Sequence, residues 1–293
     1  MFLSALALSG SPACSPSSSG GGGGGSASLE SPANPAPNPT PVAGESPLPD
    51  TKVTDPVNPP AAAPTYGTDV LLFNGVGIST SDWQSTEKIV VSMGLSYRLV
   101  NSAQLEKMTV DEIANFGLII VPGGHSSQIS SGLSAEARIR VRQAVRDRGV
   151  SYFGICAGAF VAVGTAADGD SGTTYGFPVI QGDKLSVWWP NGQHITATIA
   201  PVTFPDGSKR SLVWWGGPST PEWSKGVVAR YANGQPAISE KWSNKGFVIL
   251  SGPHPEAPAG WRATAGNDPD GTDFELTKKI IQAALDRQPL PTF

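Results

Sequence analysis

Short apolar runs that alternate with helical segments dominate this chain from about residue 68 onward. The runs Asp69–Asn74, Gly117–Val121 and Val150–Ile155 each lead into a turn that contains glycine. Each run has the length and composition of a strand that is buried on both faces. Helical patterns at Ser79–Met93 and Ser134–Arg148 lie between them. The alternation predicts an α/β fold with a parallel sheet and helices on both faces.

The segment from about residue 169 to residue 245 breaks this alternation. Short alternating runs such as Ser186–Trp189 and Leu212–Trp215 are separated there by Gly, Pro and Asn. This pattern predicts a β-rich, mostly antiparallel insertion. Gly246–Leu250 then returns to the parallel sheet, and Thr272–Asp286 has the periodicity of a closing amphipathic helix.

The first 67 residues have a composition that cannot form a core. Residues 15–67 are rich in Ser, Gly and Pro, which predicts a disordered tether. Residues 1–14 combine a short apolar run with small residues, end at Cys14 and resemble a bacterial lipoprotein signal peptide. The resemblance implies an exported lipoprotein of the cell envelope, periplasmic or on the outer surface, with a lipid anchor on Cys14. The alternative is an unprocessed N-terminus, and residues 68–293 form the folded domain in either case.

Charge and cysteine content limit the classes of function. The formal net charge is −4, the charges are mixed in sign, and no basic stripe predicts a nucleic-acid partner. Three scattered histidines and one cysteine in the folded domain argue against a metal site, and no cofactor is expected. A disulfide between Cys14 and Cys156 is not expected either, because it would join the tether to a buried turn.

Cys156 lies in the turn Gly154-Ile155-Cys156-Ala157-Gly158, directly after a predicted buried strand. This arrangement predicts a sharp strand–turn–helix junction that lifts the cysteine out of the sheet. A helix N-terminus favours thiolate over thiol, so Cys156 is a candidate nucleophile. The alternative is an inert thiol that packs under a helix.

The segment Gly252-Pro253-His254-Pro255-Glu256 supplies a base and a carboxylate. Residues two apart in an extended chain face the same side, so Glu256 is expected to reach the ring of His254. The flanking prolines keep the segment extended. Nucleophile, base and orienting carboxylate are the parts of a covalent hydrolase or acyl-transfer site. The alternatives are a core histidine and a solvated loop carboxylate.

Four ordered motifs resemble the class I glutamine amidotransferase-like superfamily, and within it the family related to the N-terminal domain of eukaryotic biotin–protein ligase. The motifs are Val121 to Gly124, Tyr152 to Ala159, Val213 to Pro218, and Gly252 to Glu256. The resemblance implies a flavodoxin-like sheet and a Cys156–His254–Glu256 triad. It also implies an oxyanion hole, formed by the amide of Ala157 with that of Gly123 or Gly124. It does not supply a substrate.

Several other residues are candidate substrate contacts. Ligands bind at the carboxyl ends of parallel strands, where Asn74 and His125 are expected. The adjacent Gly216 and Gly217 would let the backbone approach a ligand closely, and Trp215 could stack on it. For the tryptophans of the insertion the alternative is core packing; they are Trp188, Trp189, Trp214, Trp215 and Trp223.

These features predict a cysteine-dependent amide hydrolase or acyl transferase that acts on a small-molecule or peptide amide. The alternative is a non-catalytic ligand-binding or sensing lipoprotein on the same fold. A third interpretation, a deglycase or chaperone-like member of the superfamily, is weaker, because those proteins usually carry a different acidic partner near the cysteine.

Overall fold

The computed structural model describes residues 65–165, 175–190, 192 and 194–293. The predicted signal peptide and nearly all of the predicted tether lie outside the described residues. The strands are β1 Thr68–Phe73, β2 Tyr97–Val100, β3 Phe116–Val121, β4 Ser151–Ile155, β5 Val163–Gly164, β6 Ile180–Gln181, β7 Thr198–Thr203, β8 Lys209–Trp214, β9 Val227–Tyr231, β10 Pro236–Ser243 and β11 Gly246–Ser251. The helices are α1 Thr80–Ser92, α2 Ser102–Leu105, α3 Val110–Ala114, α4 Ser126–Ser131, α5 Ala135–Arg146, α6 Ala157–Phe160, α7 Ala259–Ala265 and α8 Phe274–Asp286.

The described strands form a nine-stranded sheet in the order β2-β1-β3-β4-β11-β10-β9-β7-β8, with β5 and β6 as a separate pair. Neighbours from β2 to β11 in this order are parallel. This part has the flavodoxin-like order 2-1-3-4-5, with β11 in the fifth position. The remaining strands extend the sheet with antiparallel neighbours. The predicted α/β fold with a flavodoxin-like sheet and a β-rich insertion is confirmed.

Helices cover both faces of the parallel part. The β1-to-β2 connection runs in the opposite direction to the connections into β3 and β4, so right-handed crossovers put α1 on one face and α3 and α5 on the other. The contacts agree, because α3 packs on α5 while α1 packs on α8, which also contacts β3, β4 and β11. These three strands are buried along their whole length. Among the described residues, no helix has both the length and the apolar character to cross a membrane.

Side-chain caps that are visible in the sequence begin helices α2, α3 and α5. Ser134 accepts a hydrogen bond from the Ala137 amide at the start of α5. In α1 the sequence favours Ser81 or Asp82 as the cap, but Ser79 takes that position without a side-chain cap bond. Asp82 lies within the first turn and is buried. Its side chain is directed to the site described below.

The insertion is an antiparallel extension with its own aromatic core. Ser186–Trp189 is not a strand, since only an isolated bridge joins Val187 to Pro218. Trp188 stacks on Tyr231 with ring centroids 3.8 Å apart and meets Trp214 edge to face at 5.8 Å. Trp188 and Trp214 are both buried. These two tryptophans are therefore core residues and not ligand contacts.

Candidate active site

Cys156 lies at a sharp turn between β4 and α6. Its backbone has φ +50° and ψ −103°, a conformation that side-chain-bearing residues rarely adopt and that persists only where the surroundings enforce it. Its N–H donates to the carbonyl oxygen of Ser251 at 2.8 Å. Its Sγ atom lies 3.9 Å from the carbonyl oxygen of Trp215. The turn therefore fixes the sulfur at the carboxyl edge of the sheet.

The glycines on either side of Cys156 are required by backbone packing. A Cβ atom on Gly158 would overlap the carbonyl oxygen of Val121. A Cβ atom on Gly154 would lie 2.5 Å from the carbonyl oxygen of Gly158, well inside van der Waals contact. The Gly154-x-Cys156-x-Gly158 frame thus lets α6 sit directly against β3 and β4.

The helix after Cys156 is too short for its dipole to stabilise a thiolate as the sequence analysis predicted. It comprises only Ala157–Phe160, and a single turn sums few peptide dipoles. Stabilisation of a thiolate therefore has to come mainly from neighbouring groups.

Cys156 is disulfide-bonded in the structure, and its partner lies outside the described residues. The sequence analysis did not expect this bond. The residue is fully buried in the described part of the chain.

His254 and Glu256 come together in a turn after β11, where the Ala257 N–H donates to the His254 carbonyl oxygen at 3.2 Å. The sequence analysis expected an extended chain here. Nδ1 of His254 lies 2.8 Å from Oε1 of Glu256, and both side chains are fully buried. The His254 N–H donates to the Val213 carbonyl oxygen at 2.7 Å, and Ser85 Oγ donates to the carbonyl oxygen of Glu256 at 2.5 Å. The segment is thus fixed between β8 and α1, and Nε2 of His254 lies on the ring edge away from Glu256.

Asp82 adds a second carboxylate to His254, and the sequence analysis did not predict it as a site residue. Its Oδ1 atom lies 3.7 Å from Nδ1 of His254 and accepts a hydrogen bond from the Gly123 N–H at 3.1 Å. Its side chain is almost completely buried. One signal was present in the sequence, namely an acid in the first helical turn after a Gly-rich turn, at the edge where ligands bind.

The two glycines after β3 have different roles. The sequence analysis offered Gly123 as an oxyanion donor, but its N–H is taken by Asp82. A Cβ atom on Gly123 would lie 2.6 Å from Asp82 Oδ2 and 2.7 Å from His254 Cε1, so Gly123 is a spacer. The amides of Gly124 and Ala157 donate to no acceptor among the described residues. These two amides remain as the candidate oxyanion donors.

Burial and mutual charge shift the pKa values of all three ionisable side chains. Burial disfavours the charged imidazole, but the charges of Glu256 and Asp82 outweigh this effect and raise the pKa of His254 to about 10. Burial raises the pKa of Glu256 to about 8. Burial acts in the same direction on Asp82, yet the charge and hydrogen bonds of His254 hold its pKa below the ordinary value. At neutral pH the cluster therefore combines an imidazolium, an Asp82 carboxylate and a protonated Glu256.

The same three residues are the group among the described residues that could hold a metal ion, since their ligand atoms all lie within 4.8 Å of one another. A histidine has to be neutral to bind a metal. The charges that surround His254 favour its protonated form at neutral pH. The 2.8 Å distance from Nδ1 to Oε1 is also that of a direct hydrogen bond. The arrangement therefore favours a proton at this position.

Asn74 and His125 lie after β1 and β3, at the same edge of the sheet as Cys156. Oδ1 of Asn74 is buried and has no hydrogen-bond partner among the described residues. His125 is half-buried and begins α4 as its N-cap. A buried acceptor without a partner is costly, so Asn74 is the stronger candidate for a polar ligand contact.

An aromatic pair adjoins the base. The half-buried Trp215 meets Trp261 edge to face at 5.3 Å, and Trp261 meets His254 in the same way at 5.2 Å. The sequence analysis did not predict Trp261. Gly216 adopts φ +83° in the turn after β8, and a Cβ atom on Gly217 would overlap the carbonyl oxygen of Gly252. Turn geometry and backbone packing thus account for both glycines.

Parts of this chain are similar to known proteins. Residues 68–167 match the family model described as "Biotin-protein ligase, N terminal", and no curated protein has a matching sequence. Similar solved structures include a glutamine amidotransferase, which is 19% identical over 68% of this chain and 99% of its own, with a TM-score of 0.45. A cytoplasmic protein from Salmonella typhimurium is 12% identical over 74% of this chain and 98% of its own, with a TM-score of 0.48. An exo-β-1,4-mannosidase from an Opitutaceae bacterium is 12% identical over 75% of this chain but 36% of its own, with a TM-score of 0.45.

The family match has a defined extent. It includes β1 to β4 and the Cys156 turn, and it ends before the insertion and before the segment that carries His254. Over residues 68–167, this chain therefore has the sequence pattern of the biotin–protein ligase N-terminal family, as the motifs predicted.

Proposed function

We propose that this chain is a cysteine-dependent amide hydrolase or acyl transferase, with Cys156 as nucleophile, His254 as acid and base, and Glu256 as a partner that orients the ring. The observation that carries the proposal is the buried 2.8 Å contact between His254 Nδ1 and Glu256 Oε1. It holds the imidazole beside the turn of Cys156, because β4 and β11 are adjacent parallel strands. Such an arrangement supports nucleophilic catalysis.

The reduced form of Cys156 is the catalytic form in this proposal. Two equivalents of a thiol reductant convert the disulfide to two thiols and become a disulfide themselves. Loss of the Cys156 thiol proton to solvent then gives a thiolate, whose charge the His254 imidazolium can balance without taking up a further proton. The raised pKa of His254 supports this ion pair at neutral pH.

In the acylation step the thiolate attacks the carbonyl carbon of an amide. The carbon–oxygen double bond opens, and the N–H groups of Gly124 and Ala157 stabilise the oxyanion. Loss of one such donor typically costs ~3 kcal/mol of transition-state stabilisation. The imidazolium of His254 then gives its proton to the amide nitrogen, the carbon–nitrogen bond breaks, and a thioester on Cys156 remains.

In the second step the neutral His254 accepts a proton from water, or from another acceptor of the acyl group, as that molecule attacks the thioester. The carbon–sulfur bond breaks, and the thiolate and the imidazolium are restored. The exposed parts of Trp215 and Trp261 support an acyl group with an apolar or aromatic portion, because these rings adjoin the base. The unpartnered Asn74 Oδ1 supports a donor on the substrate, such as an amide N–H.

The test uses the full chain with Cys14→Ser, in which Cys156 is the only cysteine. A panel of acyl amides and peptides is screened for hydrolysis in the presence of a thiol reductant, with mass spectrometry to detect an acyl adduct on Cys156. We expect turnover and an adduct, both of which disappear in Cys156→Ala. Turnover that persists in Cys156→Ala would show the proposal to be wrong.

Complete burial of Cys156, His254 and Glu256 favours a second candidate function, a binding or sensing protein without turnover. In that case a compound from the same panel would raise the melting temperature of the protein by mass action. It would do so equally in the parent and in Cys156→Ala, and neither protein would consume it. Consumption of the compound by the parent alone distinguishes the enzyme.

Export and lipid attachment through Cys14 complete the proposal. Cys14 lies outside the described residues, and it is the only other cysteine of the chain. A lipid on its thiol would leave Cys156 as the one unmodified thiol. Metabolic labelling with a fatty-acid analogue in a bacterial host is expected to label the parent chain and not the Cys14→Ser variant, and labelling of both proteins would contradict this part.

A further inference from the structure

We infer that Asp82 is a positioning residue for the proposed reaction: its carboxylate lies beside His254 as a second acid and ties the histidine to the Gly123–Gly124 turn. The inference rests on the proposed function, because it assigns a role within the same site. It adds a second carboxylate to the expected triad of Cys156, His254 and Glu256.

The contacts of Asp82 lead to this role. One oxygen, Oδ1, accepts from the Gly123 N–H at 3.1 Å and lies 3.7 Å from Nδ1 of His254. The side chain is 1% exposed, and a buried carboxylate needs a cation and hydrogen-bond donors to remain charged. The described contacts of the Asp82 side chain are to the proposed base, to the Gly123 N–H and to the neighbouring Glu256 carboxyl, whose ligand atom lies within 4.8 Å. A single oxygen therefore connects two parts of the site.

Position in the fold favours charge on Asp82 over charge on Glu256. Asp82 lies in the first turn of the 13-residue helix α1, where backbone N–H groups and the helix dipole stabilise a carboxylate. Glu256 lies in a turn without such a dipole. The directions of the pKa shifts agree, since that of Asp82 is lowered and that of Glu256 is raised to about 8.

Gly123 is what permits the three groups to meet. Atoms of both Asp82 and His254 lie within 2.7 Å of the place where a Cβ atom of residue 123 would be. Any side chain there would separate the carboxylate from the imidazole. The ionisable groups described near His254 are Asp82 from α1 and Glu256 from its own segment, and the ring of Trp261 from α7 also adjoins it.

The test compares Asp82→Asn with Glu256→Gln in the full Cys14→Ser chain. Asn keeps the size of Asp and retains an acceptor for Gly123, so it removes mainly the charge. The imidazole signals of the three histidines are followed by NMR as a function of pH and assigned with His254→Ala. We expect Asp82→Asn to lower the pKa of His254 by about 1 to 3 units, the usual effect of a lost opposite charge. Glu256→Gln should lower it as well, because the charge of Glu256 also raises the pKa of His254.

Glu87→Gln is the matched control, because Glu87 is an acid of the same helix that accepts from the Tyr97 hydroxyl instead. It is expected to leave the His254 titration unchanged. If Asp82→Asn does not fold, Gly123→Ala separates the same two groups without removing either acid, and it should also lower the pKa of His254. The inference is overturned if Asp82→Asn folds and leaves the titration of His254 unmoved, or if Glu87→Gln moves that titration as far as Asp82→Asn does. Because this readout needs no substrate, it stands even if the proposed reaction fails.

Discussion

The Cys156 N–H donates to the carbonyl oxygen of Ser251 at 2.8 Å, and this bond ties the turn after β4 to the turn after β11. Ile155 and Ser251 are also register partners of the two parallel strands. Within the second turn, Ser251 Oγ donates to the Pro253 carbonyl oxygen at 2.7 Å, directly before His254. Strand pairing therefore brings the proposed nucleophile and base together from distant parts of the chain.

Removal of the imidazole is expected to deactivate the thiol. In the reduced Cys14→Ser chain, Cys156 should react with iodoacetamide rapidly at pH 7, because His254 stabilises the thiolate. In His254→Ala the thiol should return to an ordinary pKa near ~8.5, and the rate at pH 7 should fall by about 10-fold or more. The measurement is the alkylation rate as a function of pH, read by mass spectrometry. His194 is exposed, so His194→Ala is the control and should react like the parent. Equal alkylation rates in the parent and in His254→Ala would contradict the ion pair.

Sequence patterns predicted the sheet and the short-range part of the site. β1, β3 and β4 follow apolar runs that are buried on both faces, and continuous apolar runs of this length between turn residues predict such strands. His254 and Glu256 lie two residues apart in one turn, so their contact is local, although the chain there is not extended as expected. The contact of Asp82 with His254 depends instead on how α1 packs beside the β11 turn, and no local pattern encodes that packing.

Two short helices and a long-range aromatic contact were not predicted, again because no local sequence pattern encodes them. α4 consists almost entirely of Ser and Gln in Ser126–Ser131, which has no apolar period. α7 follows Pro258 and brings Trp261 to His254, although the sequence from residue 255 to 262 is dominated by Pro, Ala and Gly. In both places tertiary packing decides the structure, and a weak propensity is overridden.

Gly158→Ala should destabilise the fold. Its Cβ atom would overlap the Val121 carbonyl oxygen, and backbone atoms cannot rotate out of the way as a side chain can. We expect the free energy of unfolding to fall by about 2 to 4 kcal/mol, measured by urea denaturation of the reduced Cys14→Ser chain. Gly260→Ala is the control, since nothing lies within 4 Å of its Cβ position. A Gly158→Ala protein as stable as this control would mean that α6 does not need its close approach to β3.

Glu240→Gln should stabilise the protein at alkaline pH. Glu240 is buried in β10, and its Oε1 accepts from the Leu290 N–H at 2.9 Å while Oε2 has no partner among the described residues. Burial raises its pKa to about 8, against ~4.3 in an unfolded chain. The folded state therefore binds more protons in this window, so the free energy of unfolding falls as pH rises from about 4.3 to about 8.

Gln keeps an acceptor for Leu290 and does not ionise. At pH 9 we expect Glu240→Gln to be more stable than the parent by on the order of 1 kcal/mol or more, and at pH 4 the two should be nearly equal. Urea denaturation at both pH values measures this difference. Glu136 is exposed, so Glu136→Gln should show no such dependence. A stability difference between Glu240→Gln and the parent that is the same at both pH values would contradict the prediction.

Trp261 should influence the reactivity of Cys156 through His254. Its ring meets the imidazole edge to face at 5.2 Å, and a contact of this kind is worth about 0.5 to 1.5 kcal/mol. We therefore expect Trp261→Ala to lower the alkylation rate of Cys156 at pH 7 by about 2- to 10-fold, because the imidazole is held less firmly beside the thiolate. Trp261→Phe keeps an aromatic ring and should recover part of the rate. Trp189 is 37% exposed and packs on Trp214 instead. Trp189→Ala is therefore the control, and its Cys156 should react like that of the parent. If Trp261→Ala reacts at the same rate as Trp189→Ala, the aromatic pair plays no part in positioning the base.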